Sequence, residues 1–268
     1  MVKLDPAEQA LKQGDPALAL KLLSDQVRAH PQDAKLRVFM FQLMAVLGLW
    51  SRSLNQLVVA SELDASTLEM AQTYRETVHC EGLRNEVFLG KKVPLLFGEP
   101  EPWIALLIEA MLREGQGSAA DATRLREQAF EQAPSCGGTI NGEAFEWLAD
   151  ADMRLGPVLE AVINGRYYWV PMARLASITV EAPTDLRDCV WTATQLEFTH
   201  GGETVALVPT RYAGTDLTNP ELALARKTEW QEQAPGFFTG SGQRVFATDS
   251  GDYGLMDVRT VTFKTSPA

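Results

Sequence analysis

The chain has 268 residues, enough to bury a sizeable core and to form two domains. Hydrophobic residues make up 46% of it and charged residues 22%, the balance of a globular protein and not of a disordered one. Its formal charge of −11 disfavours broad contact with nucleic-acid phosphates, and the acidity is spread along the chain, with 15 basic and 22 acidic residues in 1–154 against 9 and 13 in 155–268.

The N-terminal run MVKLDPAEQALKQGD has no apolar stretch behind its first lysine, so no secretory signal peptide is expected. The longest apolar run, 38–50, is broken only by Gln42 and is too short to span a bilayer. Cys80, Cys136 and Cys189 are odd in number and lack C-x-x-C spacing. Free thiols suit a reducing compartment, so a cytoplasmic protein without membrane insertion is expected.

Helical spacing of apolar residues runs from residue 5 to about 150. Gly14 and Asp15 form a turn, and Pro16 stands where a helix would begin. Ala19, Leu23 and Val27 follow at four-residue steps, and Pro31 stops the helix. Small residue, large residue and terminal proline at these offsets resemble half of a tetratricopeptide repeat. Gly48, Ser53 and Leu57 repeat Gly14, Ala19 and Leu23 at a 34-residue period, although Ala65 replaces the proline. Ala122 and Pro134 reproduce the spacing of Ala19 and Pro31. These features predict a tetratricopeptide-like helical layer over 1–150, with an irregular helical bundle as the alternative. Stacked repeats bind peptides in their grooves, which makes Phe39, Gln42, Tyr74 and Arg75 candidate partner contacts.

The pattern changes near Pro157, which cannot continue a helix. From there, short β-prone runs alternate with turns. Asn164–Gly165, set between VLEAVI and RYYWV, is a hairpin signal because both turn positions need positive φ. Further runs at 177–181, 195–198, 203–208, 245–248 and 254–263 complete six or seven strands. Residues 215–236 read either as a short helix or as an extended crossing. The expected fold class is therefore α+β, with the helical layer followed over 151–268 by a small twisted β-sheet or partly open β-barrel.

Charged residues gather at the joint. Asp150, Asp152 and Arg154, with Arg166, Asp185, Arg187 and Asp188, could form bidentate bridges that lock the helices onto the sheet. The same carboxylates could serve acid–base chemistry or hold a cation. Arg211, Tyr212, Trp230 and Arg244 are of the types favoured at interface centres, and equally could pack internally. His30, His79 and His200 are scattered, and no glycine-rich segment carries a phosphate-loop lysine. No metal site and no cofactor are expected.

The runs DADMRLGPVLEAVINGRYYWVPMARLASITVEAPTDLRDCVW, LVPTRYAGTD, LALARKTEW and GQRVFATDSGDYGLMDVR resemble the ImpE family, also called SciE-type. The likeness covers the whole chain and is strongest from 150 to 259. It implies a non-enzymatic accessory protein of bacterial type VI secretion that binds the small subunit of the contractile sheath. A link to the AAA+ ATPase that disassembles the sheath is also implied. The competing expectations are an enzyme or small-ligand protein with a carboxylate–arginine cleft at the joint, and a purely structural scaffold.

Overall fold

A computed structural model describes residues 5–264. Its first three helices start at aspartate caps. The Asp5 carboxylate accepts a hydrogen bond from the Ala7 N–H before α1 (Pro6–Lys12), and Asp15 accepts from the Leu18 N–H before α2 (Pro16–Ala29). Each of these helices opens with proline, whose missing N–H is not needed in a first turn. Asp33 caps α3 (Ala34–Val46), which is followed by α4 (Trp50–Leu63) and the long α5 (Leu68–Phe88). The two-residue β1 (Leu95–Leu96) precedes α6 (Pro102–Gly115) and α7 (Ala119–Gln132).

Pairs α1–α2, α3–α4 and α6–α7 pack on one another across short turns. Ala19, Leu23, Ser53 and Leu57 are all buried at these contacts. The Ser53 hydroxyl donates to the Phe41 carbonyl at 3.2 Å, so a small polar residue is tolerated where alanine would be expected. Gly90 and Gly115 let the ends of α5 and α6 touch: a Cβ on Gly90 would lie 2.4 Å from the Met111 carbonyl.

Three further short strands lie within 138–150: β2 (Gly138–Ile140), β3 (Glu143–Phe145) and β4 (Leu148–Asp150). The β-structure therefore starts N-terminal to the joint read from the sequence. Asn141 and Gly142, both at positive φ, form the β2–β3 turn. Then follow β5 (Val158–Ile163), β6 (Arg166–Pro171), β7 (Leu175–Val180), β8 (Trp191–Phe198) and β9 (Glu203–Pro209). The stretch 215–236 contains both forms: the short α8 (Pro220–Ala223), capped by Asn219, and β10 (Thr228–Ala234). β11 (Phe237–Gly242), β12 (Val245–Thr248), β13 (Asp252–Gly254) and β14 (Thr260–Phe263) end the described chain.

Nine strands make one sheet in the order β1-β6-β5-β9-β8-β7-β14-β2-β3. Its end strands do not pair with each other, so the sheet is open and no closed barrel forms among the described residues. Only the β1–β6 pair is parallel. Alternation along the strands builds two cores. Val158, Val162, Tyr167, Trp169, Trp191 and Leu207 face the helices. Leu159, Ala161, Ile163, Val170, Leu196 and Ala206 face the other way, onto Phe246, Leu255 and Val258. A second sheet, β13-β12-β4, contributes Leu148 and Phe246 to that second core, and β10–β11 form a separate hairpin. No described helix is long and apolar enough to cross a membrane.

Candidate functional site

The sheet has a seam. β5 and β6 pair at six positions and β8 and β9 at seven, but β5 and β9 pair only at Val162–Leu207. Two residues towards the start of β5, the register brings Glu160 opposite Pro209, and side chains take the place of ladder bonds. The Arg244 guanidinium is wholly buried at 0% exposure. Its Nε donates to the Pro209 carbonyl at 2.9 Å, and its two terminal nitrogens donate to Asp150 and Glu160. Glu160 also accepts from Arg84 Nε at 2.7 Å and from the Tyr167 hydroxyl at 2.5 Å. Trp169 Nε1 in turn donates to that hydroxyl at 2.8 Å. Arg84 reaches Glu81 and the Arg211 carbonyl, and Glu81 accepts from Trp191 Nε1 at 2.9 Å.

The network thus joins α5 to β4, β5, β6, β8 and the residue before β12. Asp152 extends it, accepting from Arg154 at 2.5 Å and from the Gly240 N–H at 2.9 Å. Three guanidinium groups (Arg84, Arg154, Arg244) meet four carboxylates (Glu81, Asp150, Asp152, Glu160). Buried charges persist when paired and hydrogen-bonded in this way. Burial raises the Glu160 carboxyl, but Arg84 and Arg244, with the hydrogen bonds from Arg84 and Tyr167, more than reverse this and bring it down to about 2. Asp150 goes the other way. Burial, with Asp152 close by, outweighs Arg244 and pushes it up to about 7. Arg211 has no carboxylate in hydrogen-bond contact. It donates to the carbonyls of Val46 and Ala223, the last residues of α3 and α8, where helix dipoles are negative. Burial lowers it to about 10, so it stays charged at neutral pH.

Chemically this is a clamp. Glu160 and Asp150 are sealed from solvent and accept from arginines held by the fold. A cleft of about 290 Å³ opens beside the clamp, bordered by Trp50, Glu81, Arg84, Asn85, Arg211 and Thr215. Among the described residues no three His, Cys, Asp or Glu side chains converge as metal ligands.

Two grooves flank α5. One, of about 530 Å³, runs between α4 and α5, with Leu54, Leu57, Val58, Leu68 and Ala71 on its walls and Arg75 and His79 at its rim. Val58 is 50% exposed and Leu68 55%. The other, of about 490 Å³, lies between α5 and the seam's second end, where Val205 is 70% exposed. Gln72 borders both.

The residues singled out from sequence are dispersed over these features. Asp150, Asp152, Arg154 and Arg244 come together in the clamp. Asp185 and Arg187 pair with each other at 2.8 Å around the 3-10 turn Leu186–Cys189, on which α3 packs. Arg166 is exposed at the start of β6 and makes none of the clamp's bonds. Tyr74 is core: its ring sits 5.6 Å from both Phe41 and Trp191, beneath the Arg187 guanidinium at 4.8 Å. Burial pushes its hydroxyl up to about 12. Phe39 is half-buried and Gln42 buried in α3, so neither stands open on a groove. Arg244, Tyr212 and Trp230 stack in that order towards the surface, with Trp230 44% exposed. Of the eight expected partner contacts, Arg75 and Trp230 are at least one-third open to solvent. Sequence reasoning passed over Glu81, Arg84, Glu160 and Tyr167. The available signal was Glu160 itself, one charge within an apolar run whose two faces are both buried.

Comparison with known proteins completes the description. The family model described as ImpE protein matches residues 142–262. The chain is 49% identical to the type VI secretion system accessory component TagJ of Pseudomonas aeruginosa over 263 residues, covering 98% of this chain and 92% of that one. A crystal structure of protein VPA1032 from Vibrio parahaemolyticus has the same fold, with a TM-score of 0.89 at 24% identity, covering 97% of this chain and 98% of the other.

Proposed function

The chain belongs to the ImpE family and is a type VI secretion accessory protein, and from that premise we propose that it is a non-enzymatic adaptor that holds an amphipathic helix of the small contractile-sheath subunit in the groove between α4 and α5. The observation that carries this reading is the apolar wall of that groove. Val58 and Leu68 stand half-exposed on its two helices, with Leu54, Leu57 and Ala71 beside them and Ser61, Gln72, Arg75 and His79 as the polar lining. An amphipathic helix laid there would bury its i, i+3, i+4 and i+7 positions against these residues. The three packed helix pairs support a tetratricopeptide-like description of the helical layer, a scaffold suited to presenting such grooves. In this reading 1–150 carries the docking surface, and 151–268 is the body that the clamp fixes behind it. By holding the sheath subunit, the adaptor would also bring it within reach of the AAA+ ATPase that takes the sheath apart. Such a role belongs in the cytoplasm.

A second reading, a small ligand in the cleft beside the clamp, is favoured by the Glu81–Arg84 pair on its wall. In that reading the cleft serves a small-molecule or enzymatic role in place of the adaptor's.

The test is titration calorimetry of the full chain against a peptide from the N-terminal helix of the small sheath subunit of the same organism. Saturable binding with a negative heat-capacity change, weakened at least tenfold by Val58→Asp and by Leu68→Asp, is the expected result. Absence of binding by folded protein and soluble peptide sinks the groove reading. Binding that both substitutions leave unchanged moves the contact elsewhere.

A further inference from the structure

The second end of the seam is built differently from the first. Beyond Val162–Leu207, β5 ends at Ile163 and the chain turns away through Asn164 and Gly165, at φ 49° and 71°. β9 continues past that turn. Its residues Glu203–Ala206 pair with β8 along one edge, through Glu197–Glu203, Leu196–Thr204, Gln195–Val205 and Thr194–Ala206. Along the other edge the ladder to β5 does not reach them. Val205 lies on the face that Leu207 and Val162 use to meet the helices, since residues two apart share a face. α5 does not cover it.

The groove so formed is bounded by Thr73, Thr77, Val162, Asn164, Val205 and Leu207, and the charged residues on its wall are Glu69 and Glu76. Edge strands left open usually carry a lysine, a proline or a bulge that blocks pairing. Residues 203–206 of β9 contain neither lysine nor proline, and β8–β9 pairing is regular.

We propose that this groove is a strand-docking site, in which a short extended segment of a partner protein pairs with the open edge of β9 at Glu203–Ala206 and presents alternating basic and apolar side chains to Glu69, Glu76 and Val205. The basic character follows from the wall: both charged groups are carboxylates, so a segment carrying Lys or Arg two residues from an apolar side chain meets complementary charge on one face. An acidic segment, including the like-charged edge of a second copy of this chain, is repelled. Main-chain hydrogen bonds supply the pairing, and the alternate side chains supply the selectivity. The site lies on the strip of α5 next to the one that carries Leu68, with Gln72 between the two grooves, and its charged residues and strand edge are not part of the proposed helix groove.

The probe is a blocked peptide, Lys-Thr-Val-Thr-Lys-Thr, whose lysines and valine share one face. Two controls carry the same sequence N-methylated at alternate residues, one in each phase, which keeps charge and shape but removes main-chain donors from one edge. Binding to the full chain is measured by calorimetry and located by amide hydrogen exchange. The expected result is saturable binding, slower exchange at amides within 203–206, and at least tenfold weaker binding for one N-methylated phase but not the other. Binding is also expected to weaken at least tenfold in the Glu69→Lys/Glu76→Lys variant, and in Val205→Lys should that double variant fail to fold. Equal binding of both N-methylated forms, an affinity unchanged by charge reversal, protection confined to other residues, or no binding at millimolar peptide each overturns the proposal.

Discussion

The two ends of the β5–β9 seam begin from the same break in the ladder and resolve it in opposite ways. At the Glu160 end, Arg244 donates to the free Pro209 carbonyl and, with Arg84 and Tyr167, surrounds the Glu160 carboxylate, and the site is sealed. At the Val205 end nothing among the described residues fills the gap, and an apolar side chain stands open. Charge buried inside the fold must be fully paired to be tolerated, whereas an apolar groove at the surface can wait for a partner. The closed end therefore holds helices to sheet, and the open end is available for binding.

The strongest way to break this contrast is to remove the central cation. Arg244→Met leaves Asp150 and Glu160 buried with one fewer partner each. A loss of about 3–5 kcal/mol is expected, read from urea denaturation followed by circular dichroism. Arg244→Lys keeps the charge but not the fork, and it is expected to recover only part of that loss.

The pH profile separates the two carboxylates. Glu160 has a folded pKa of about 2, below its ordinary 4.5, so its stabilisation is present above pH 4.5 and is lost as pH falls towards 2. Asp150 is raised from 3.8 to about 7, so the native state favours its protonated form. Its contribution is greatest below pH 4 and is lost as pH rises through 7. Denaturation between pH 4 and 7 is expected to show a downward stability slope that Asp150→Asn removes. An identical slope in the variant would mean that Asp150 does not titrate there.

How much of this could be read from the chain depends on range. The Asn164–Gly165 hairpin and the buried steps Ala19, Leu23 and Ser53, Leu57 are local patterns, and they were legible. β2, β3 and β4 were not: three residues are too few to show alternation, although Asn141–Gly142 carries a hairpin signature. The clamp was half legible. Asp150, Asp152 and Arg154 are neighbours in sequence, but Glu160 meets Arg84 and Arg244 across 76 and 84 residues, and no spacing rule spans that distance. Interface-type residues left two readings open for the same reason: Arg211, Tyr212 and Arg244 suit an interface or internal packing, and all three are buried within the fold.

A milder change tests how far the closed end depends on each member. Tyr167→Phe removes one donor to Glu160 and the acceptor of Trp169 Nε1 while keeping the ring. Glu160 retains its arginines, so the main cost is the unmet indole N–H, about 1–3 kcal/mol by denaturation. The pKa of Glu160 is expected to move up from about 2, because one hydrogen bond to its charged form is lost.

The smallest effect should fall at the open end. Val205→Ser replaces a side chain that is already 70% in water, on a strand whose β8 pairing does not depend on it. The stability change should stay within about 0.5 kcal/mol, the range of ordinary surface substitutions. A loss above that would mean that Val205 supports the fold from within the groove, and the difference between the two ends would be one of degree. If stability holds, Val205 is an apolar side chain that the folded chain exposes without using, as expected where a partner supplies the missing strand.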